Sequence, residues 1–100
     1  MSGKYQIIYW RDIPSQIKAK VGRKRLGRQL SDRFIQSIDA AAMKSGDTDT
    51  DDYLAQWRQT DWVNIDGDVN AFLDELVAKI EGEYSGKRLS DLVKNEGREG

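Results

Sequence analysis

KYQIIYWRDIPSQIKAKVGRKRLGRQL, residues 4–30, is the stretch on which the fold turns. Tyr5 to Trp10 reads as a strand, because aromatic and β-branched side chains suit a pleated surface. Alternation sends Tyr5, Ile7 and Tyr9 to one face and Gln6, Ile8 and Trp10 to the other. Apolar residues on both faces predict an interior position in a small sheet. Pro14 has no N–H and holds Ile13 extended, so Arg11 to Ser15 is expected as the connection out of the strand. From Gln16 the period of two is clear, with Ile17, Ala19 and Val21 on one side and Lys18 and Lys20 on the other. A partner strand is expected over Leu26 to Leu30, with Gly22 to Arg25 as a four-residue hairpin loop. Arg28 shares the parity of Leu26 and Leu30, which calls either for a stem laid along the sheet edge or for a carboxylate partner.

Helical spacing takes over after Leu30. Ser31 is placed as an N-cap for a helix carrying Phe34, Ile35, Ile38, Ala41 and Ala42 and stopping near Gly46. Thr48 to Thr50 are expected to cap a shorter helix around Asp51 to Gln59, with Tyr53, Leu54 and Trp57 on one side and an irregular link over Trp62 to Asp66. The longest helix opens at Asp66 to Asp68, and its Val69, Phe72, Leu73, Leu76, Val77, Ile80 and Tyr84 follow the i, i+3, i+4 rhythm closely. A short helix with Leu89, Leu92 and Val93 follows Ser85-Gly86. The expected fold is α+β: a small antiparallel three-stranded sheet, N-terminal, with three to four helices packed on it. Residues 1–100 are expected to form a single domain ordered over about 4–94, with 95–100 a frayed tail.

The composition narrows the chemistry. The chain has neither cysteine nor histidine, which removes disulfides, Cys/His zinc sites, thiolate nucleophiles and the usual general base near neutral pH. No cofactor is expected. No apolar run approaches a membrane span or a signal-peptide core, so the expected location is the cytoplasm. The net charge of −1 conceals a division: residues 1–35 hold nine Lys/Arg against two Asp, whereas residues 36–100 hold seven against fifteen acids. Opposite fields on opposite surfaces would result if the fold keeps these halves apart.

Several groups have the composition of a site. Lys18, Lys20, Arg23, Lys24, Arg25 and Arg28 form a basic hairpin suited to phosphates, but the hairpin lacks aromatic stacking platforms, and protein docking ranks ahead of nucleic acid. Lys18 and Lys20 are explained without a ligand, as a solvated or edge-protecting face. Asp47 to Asp51 has the alternate-aspartate spacing of a calcium loop, yet Asp52 and Arg58 stand where such a loop needs Gly and Glu, so helix capping is the preferred reading. Asn64 to Asp68 reads likewise as a turn and cap ahead of a cation site. Trp57, Arg58 and Trp62 have the composition of an interface hot spot. Asp12 is the one acid in a strand-exit loop that suits catalysis, and no spacing supplies it with a partner acid.

Taken together, YWRDIPSQIKAKVGRKR, QLSDRFIQSIDAAAMKSG and DDYLAQWR resemble the small bacterial domain known as the virulence-factor conserved region, over roughly residues 5 to 88. In some firmicute proteins that domain is joined to HEAT-like repeats, and in many proteobacteria it stands alone. The resemblance carries no catalytic residues onto these positions. It implies an accessory companion of folate and corrinoid one-carbon enzymes in place of a secreted toxin. The expected function is therefore a non-enzymatic, cytoplasmic protein-interaction domain using Arg23, Lys24, Arg25, Arg28, Trp57, Arg58 and Trp62, with a nucleic-acid-binding module as the alternative.

Overall fold

The computed structural model describes residues 3–46 and 50–99, so Asp47, Thr48 and Asp49 of the aspartate run lie outside the described residues. The chain runs β1 (Gly3–Trp10), β2 (Ile13–Val21), β3 (Lys24–Gln29), α1 (Asp32–Ser45), α2 (Thr50–Ala55), β4 (Trp57–Gln59), β5 (Val63–Ile65), α3 (Val69–Glu83) and α4 (Gly86–Lys94). The fold is α+β, and its antiparallel sheet has five strands where the sequence suggests three. The order is β3-β2-β1-β4, with β5 also on β1. Strand β1 is thus interior, as its two apolar faces require. Its far edge is shared by β4, opposite Ile8 to Trp10, and β5, opposite Gly3 to Tyr5. These two short strands replace the end of the expected second helix and the irregular link. Trp57 continues from α2 directly into register with Trp10, because the open edge of β1 offers ladder partners that a longer helix would forgo.

The connections are tighter than expected. Trp10 pairs with Ile13, so Arg11-Asp12 is a two-residue turn and Pro14 lies inside β2, where a bulge at Ser15 shifts the register. Arg11 adopts φ +53, a left-handed conformation, and is held there by its N–H on the Gln56 carbonyl and by Arg58 Nε on its own carbonyl. Val21 pairs with Lys24, leaving Gly22-Arg23 as the second turn; Gly22 has φ +60, which glycine takes without strain.

One face of the sheet is covered. Helices α1 and α3 pack on β2 and β3, and α4 packs on α1. Trp10, Ile13, Ile17, Phe34, Ile38, Ile65 and Leu73 are the fully buried apolar centre. Ser31 takes the N-cap position of α1, but its hydroxyl donates to Glu81 Oε1 at 2.8 Å instead of capping, which fastens α1 to α3. Asp68 and Ser85 cap α3 and α4 through Ala71 N and Arg88 N. The stretch expected as a frayed tail is instead docked through Glu99. Asp12 N–H donates to the Gly97 carbonyl at 2.9 Å, Glu99 N–H donates to Asp12 Oδ2 at 2.7 Å, and Arg88 pairs with Glu99 at 2.6 Å. The physical reason is Trp10: its ring needs a cover, and the backbone at Gly97 lies on it so closely that an added Cβ would sit 2.9 Å from Cζ3.

Candidate functional site

The uncovered face of the sheet is where the chain concentrates unused chemistry. Register and alternation place its side chains in cross-strand rows. In the first row Arg25 (β3), Lys20 (β2), Lys4 (β1) and Asn64 (β5) stand directly opposite one another. The next holds Gly27, Lys18 and Gln6, and the third holds Gln29, Gln16, Ile8 and Gln59. Trp57 follows beyond Gln59. The face is therefore graded from cationic to amide to apolar.

Among the described residues, none of Lys4, Lys18, Lys20 and Arg25 has a carboxylate within ion-pair distance. The Lys20 ammonium lies 4.4 Å from the Trp62 ring centre, a cation–π contact that leaves the indole 36% exposed. Trp62 thus lies against the hairpin and supplies the aromatic surface that the hairpin's own sequence lacks. A shallow hollow of about 380 Å³ runs between Gln6, Lys18, Lys20, Arg25 and Trp62. A second hollow of about 490 Å³ adjoins the first at Gln59 and is lined by Ile8, Gln16, Trp57 and Arg58. The edge-protecting explanation for Lys18 and Lys20 does not apply, since β2 is an interior strand between β1 and β3.

The residues singled out in the sequence are dispersed. Arg25 joins the cationic row. Lys24 and Arg28 have the opposite parity, and Arg28 is engaged by Asp74 Oδ1 and Asn70 Oδ1, each at 3.0 Å. That is the carboxylate partner its parity calls for. Arg23 is exposed in the turn. Arg58 is drawn to the Arg11-Asp12 corner, where it reaches Asp12 Oδ1 at 3.3 Å and stacks 4.4 Å from the Tyr9 ring centre. Trp57 is half-buried against Tyr53, and Trp62 reaches the open face. Lys4, missed in the sequence, belongs to the cationic row. Its only signal is a shared register with Lys20 and Arg25, which follows from two-residue turns together with the one-residue shift at the Ser15 bulge.

The other candidates are occupied structurally. Both carboxylate oxygens of Asp12 are engaged, one by Arg58 and one by the Glu99 N–H. Asp68 serves as the cap of α3, and Asn64 pairs with Lys4 in the sheet. Among the described residues no group of three or more acids is gathered as a metal site. Nearby, burial pushes the Tyr9 and Tyr84 phenols above 10, against the lowering effect of Arg58 and Arg88 on Tyr9 and of Arg88 on Tyr84. Raised phenols with engaged arginines describe a packed corner. No helix among the described residues is long and apolar enough to cross a membrane.

A family model described as virulence factor matches residues 8–93. The chain belongs to the virulence-factor family. The match takes in β2 to β5, the helices up to Val93 and the last three residues of β1, so most of the graded sheet face is built from family residues; Lys4 alone among its cations precedes the match. Comparison with curated proteins and with solved structures finds no match.

Proposed function

We propose that this domain is a non-enzymatic, cytoplasmic accessory that docks onto a protein partner through the open face of its sheet. One observation carries the reading: the row Lys4, Lys20, Arg25, three cations set directly opposite one another with no carboxylate among the described residues to neutralise them. Like charges so placed cost stability, and an acidic partner surface would remove that cost. Local arrangements that work against the fold are most often found where a ligand acts. The half-exposed Trp62 beside the row adds a residue type that interfaces favour. The family resemblance makes a folate- or corrinoid-dependent one-carbon enzyme the first partner to try.

Trp62 lying against the hairpin also favours a second reading, binding of nucleic acid. Tagged protein recovered from its host separates these. The wild type is expected to return with a stoichiometric protein partner, and the folded triple variant Lys4→Glu/Lys20→Glu/Arg25→Glu is expected to return alone. Recovery of the wild type only as a free monomer, or with nuclease-sensitive material, overturns the docking reading.

A further inference from the structure

The gradation of the open face carries more than the presence of charge. A polynucleotide has a phosphate at every unit, and it would lay that charge equally over the cationic and the neutral ends. The cations without an ion-pair partner among the described residues, Lys4, Lys20 and Arg25 with Lys18 one row on, crowd toward one end, whereas Arg58 at the other end is paired with Asp12 at 3.3 Å, and one ring face of Trp62 is already held by Lys20 at 4.4 Å. The net charge of −1 gives no general attraction for a polyanion. At the other end the hollow of about 490 Å³ is lined by the apolar Ile8 and Trp57, the amides of Gln16 and Gln59, and Arg58, whose charge is met by Asp12. Such a hollow accepts one aliphatic or aromatic side chain, with the amides free to hydrogen-bond the backbone beside it.

We infer that the occupant of this face is an amphipathic acidic segment of a partner protein, with an apolar side chain in the Ile8/Trp57 hollow and carboxylates against Lys4, Lys20 and Arg25. This rests on the docking reading above and names the partner's chemistry. The spacing follows from the strand: Gln16 at the hollow and Lys20 in the cationic row are four residues apart, about 13 Å. The partner's anchor and its carboxylates are therefore separated by about four residues if the segment is extended, or about nine if it is helical.

Photo-cross-linking in host cells tests this, with a benzophenone amino acid placed at Gln29 on the open face or at Ala78 on exposed α3 as control. The expected product from Gln29 is one protein segment rich in Asp and Glu with an apolar residue at that spacing. Its yield should fall by about tenfold or more in the Lys4→Glu/Lys20→Glu/Arg25→Glu variant and in Gln59→Trp, which fills the hollow from an exposed position. A cross-linked protein segment without acidic excess overturns the inference and leaves the docking reading standing. A nuclease-sensitive product, or no product specific to Gln29, overturns both.

Discussion

Replacing Gly97 by alanine tests whether the C-terminal stretch is part of the folded domain. Gly97 is buried at φ +88, where a residue with a Cβ is strained by about 1–2 kcal/mol. The new methyl group would stand 2.9 Å from Trp10 Cζ3 and 3.3 Å from Cε3. The indole has little room to yield: it is fully buried, and its Nε1 donates to the Tyr53 carbonyl at 3.1 Å. Overpacking of this kind costs about 1–3 kcal/mol. Set against it is a gain of about 0.4–1 kcal/mol from a less free unfolded chain. The net expectation is a loss of about 2–4 kcal/mol, which for a domain of this size lowers Tm by about 10–25 °C. Calorimetry and urea titration measure it. Gly82→Ala is the control: nothing lies within 4 Å of its added Cβ on exposed α3, so about 0.5–1 kcal/mol of stabilisation is expected. An unchanged or raised Tm for Gly97→Ala would refute the docked tail, because a segment mobile in both folded and unfolded states meets neither the strain nor the clash.

Glu81 sets the response to acid. Burial raises its pKa, but hydrogen bonds from the Ser31 hydroxyl and N–H and the Arg33 guanidinium outweigh that and hold it below 4.5. Its stabilising contribution is therefore complete above about pH 4.5 and is lost as pH falls through the folded value; Tm of Glu81→Gln should decline less between pH 5 and 3, and parallel curves would contradict this. Lys4→Gln should stabilise the domain by about 0.2–1 kcal/mol by relieving the cationic row, a gain that shrinks in 1 M salt, while partner capture weakens. Loss of stability on urea denaturation would count against the repulsion argument. Arg28→Ala should cost about 0.2–1 kcal/mol, as for an exposed ion pair, and leave partner capture unchanged, since Arg28 is committed to Asp74 and Asn70. Loss of capture would return Arg28 to the binding surface.

The parts of the fold legible in sequence were those set by local rules. Alternation in β1 and β2 and the apolar rhythm of α3 depend on neighbours a few residues away, and each element lies where its pattern puts it. Strands β4 and β5 were not legible, because three residues each carry no period and exist only through the edge of β1. The tail escaped for the same reason: nothing near residue 97 in sequence reveals that Trp10 requires a cover. The candidate site was legible as composition and not as geometry. The basic run is real, but parity divides it between two faces, and the row that remains unpaired is completed by Lys4, sixteen or more residues upstream of its companions.

The contact between Gly97 and Trp10 also orders events during synthesis. Strands β1 and β2 are able to pair as soon as both have left the ribosome, yet Trp10 then lacks both Tyr53 and Gly97. At about 5–20 residues per second, the indole waits roughly 4–17 s for the chain at residue 97. Through that interval the nascent hairpin presents a large apolar surface at the end of an incomplete sheet, which is the kind of target that holding chaperones bind. The docked tail therefore makes completion of the domain a late, all-or-none step, because the segment that seals the first strand is 87 residues downstream of the turn it grips.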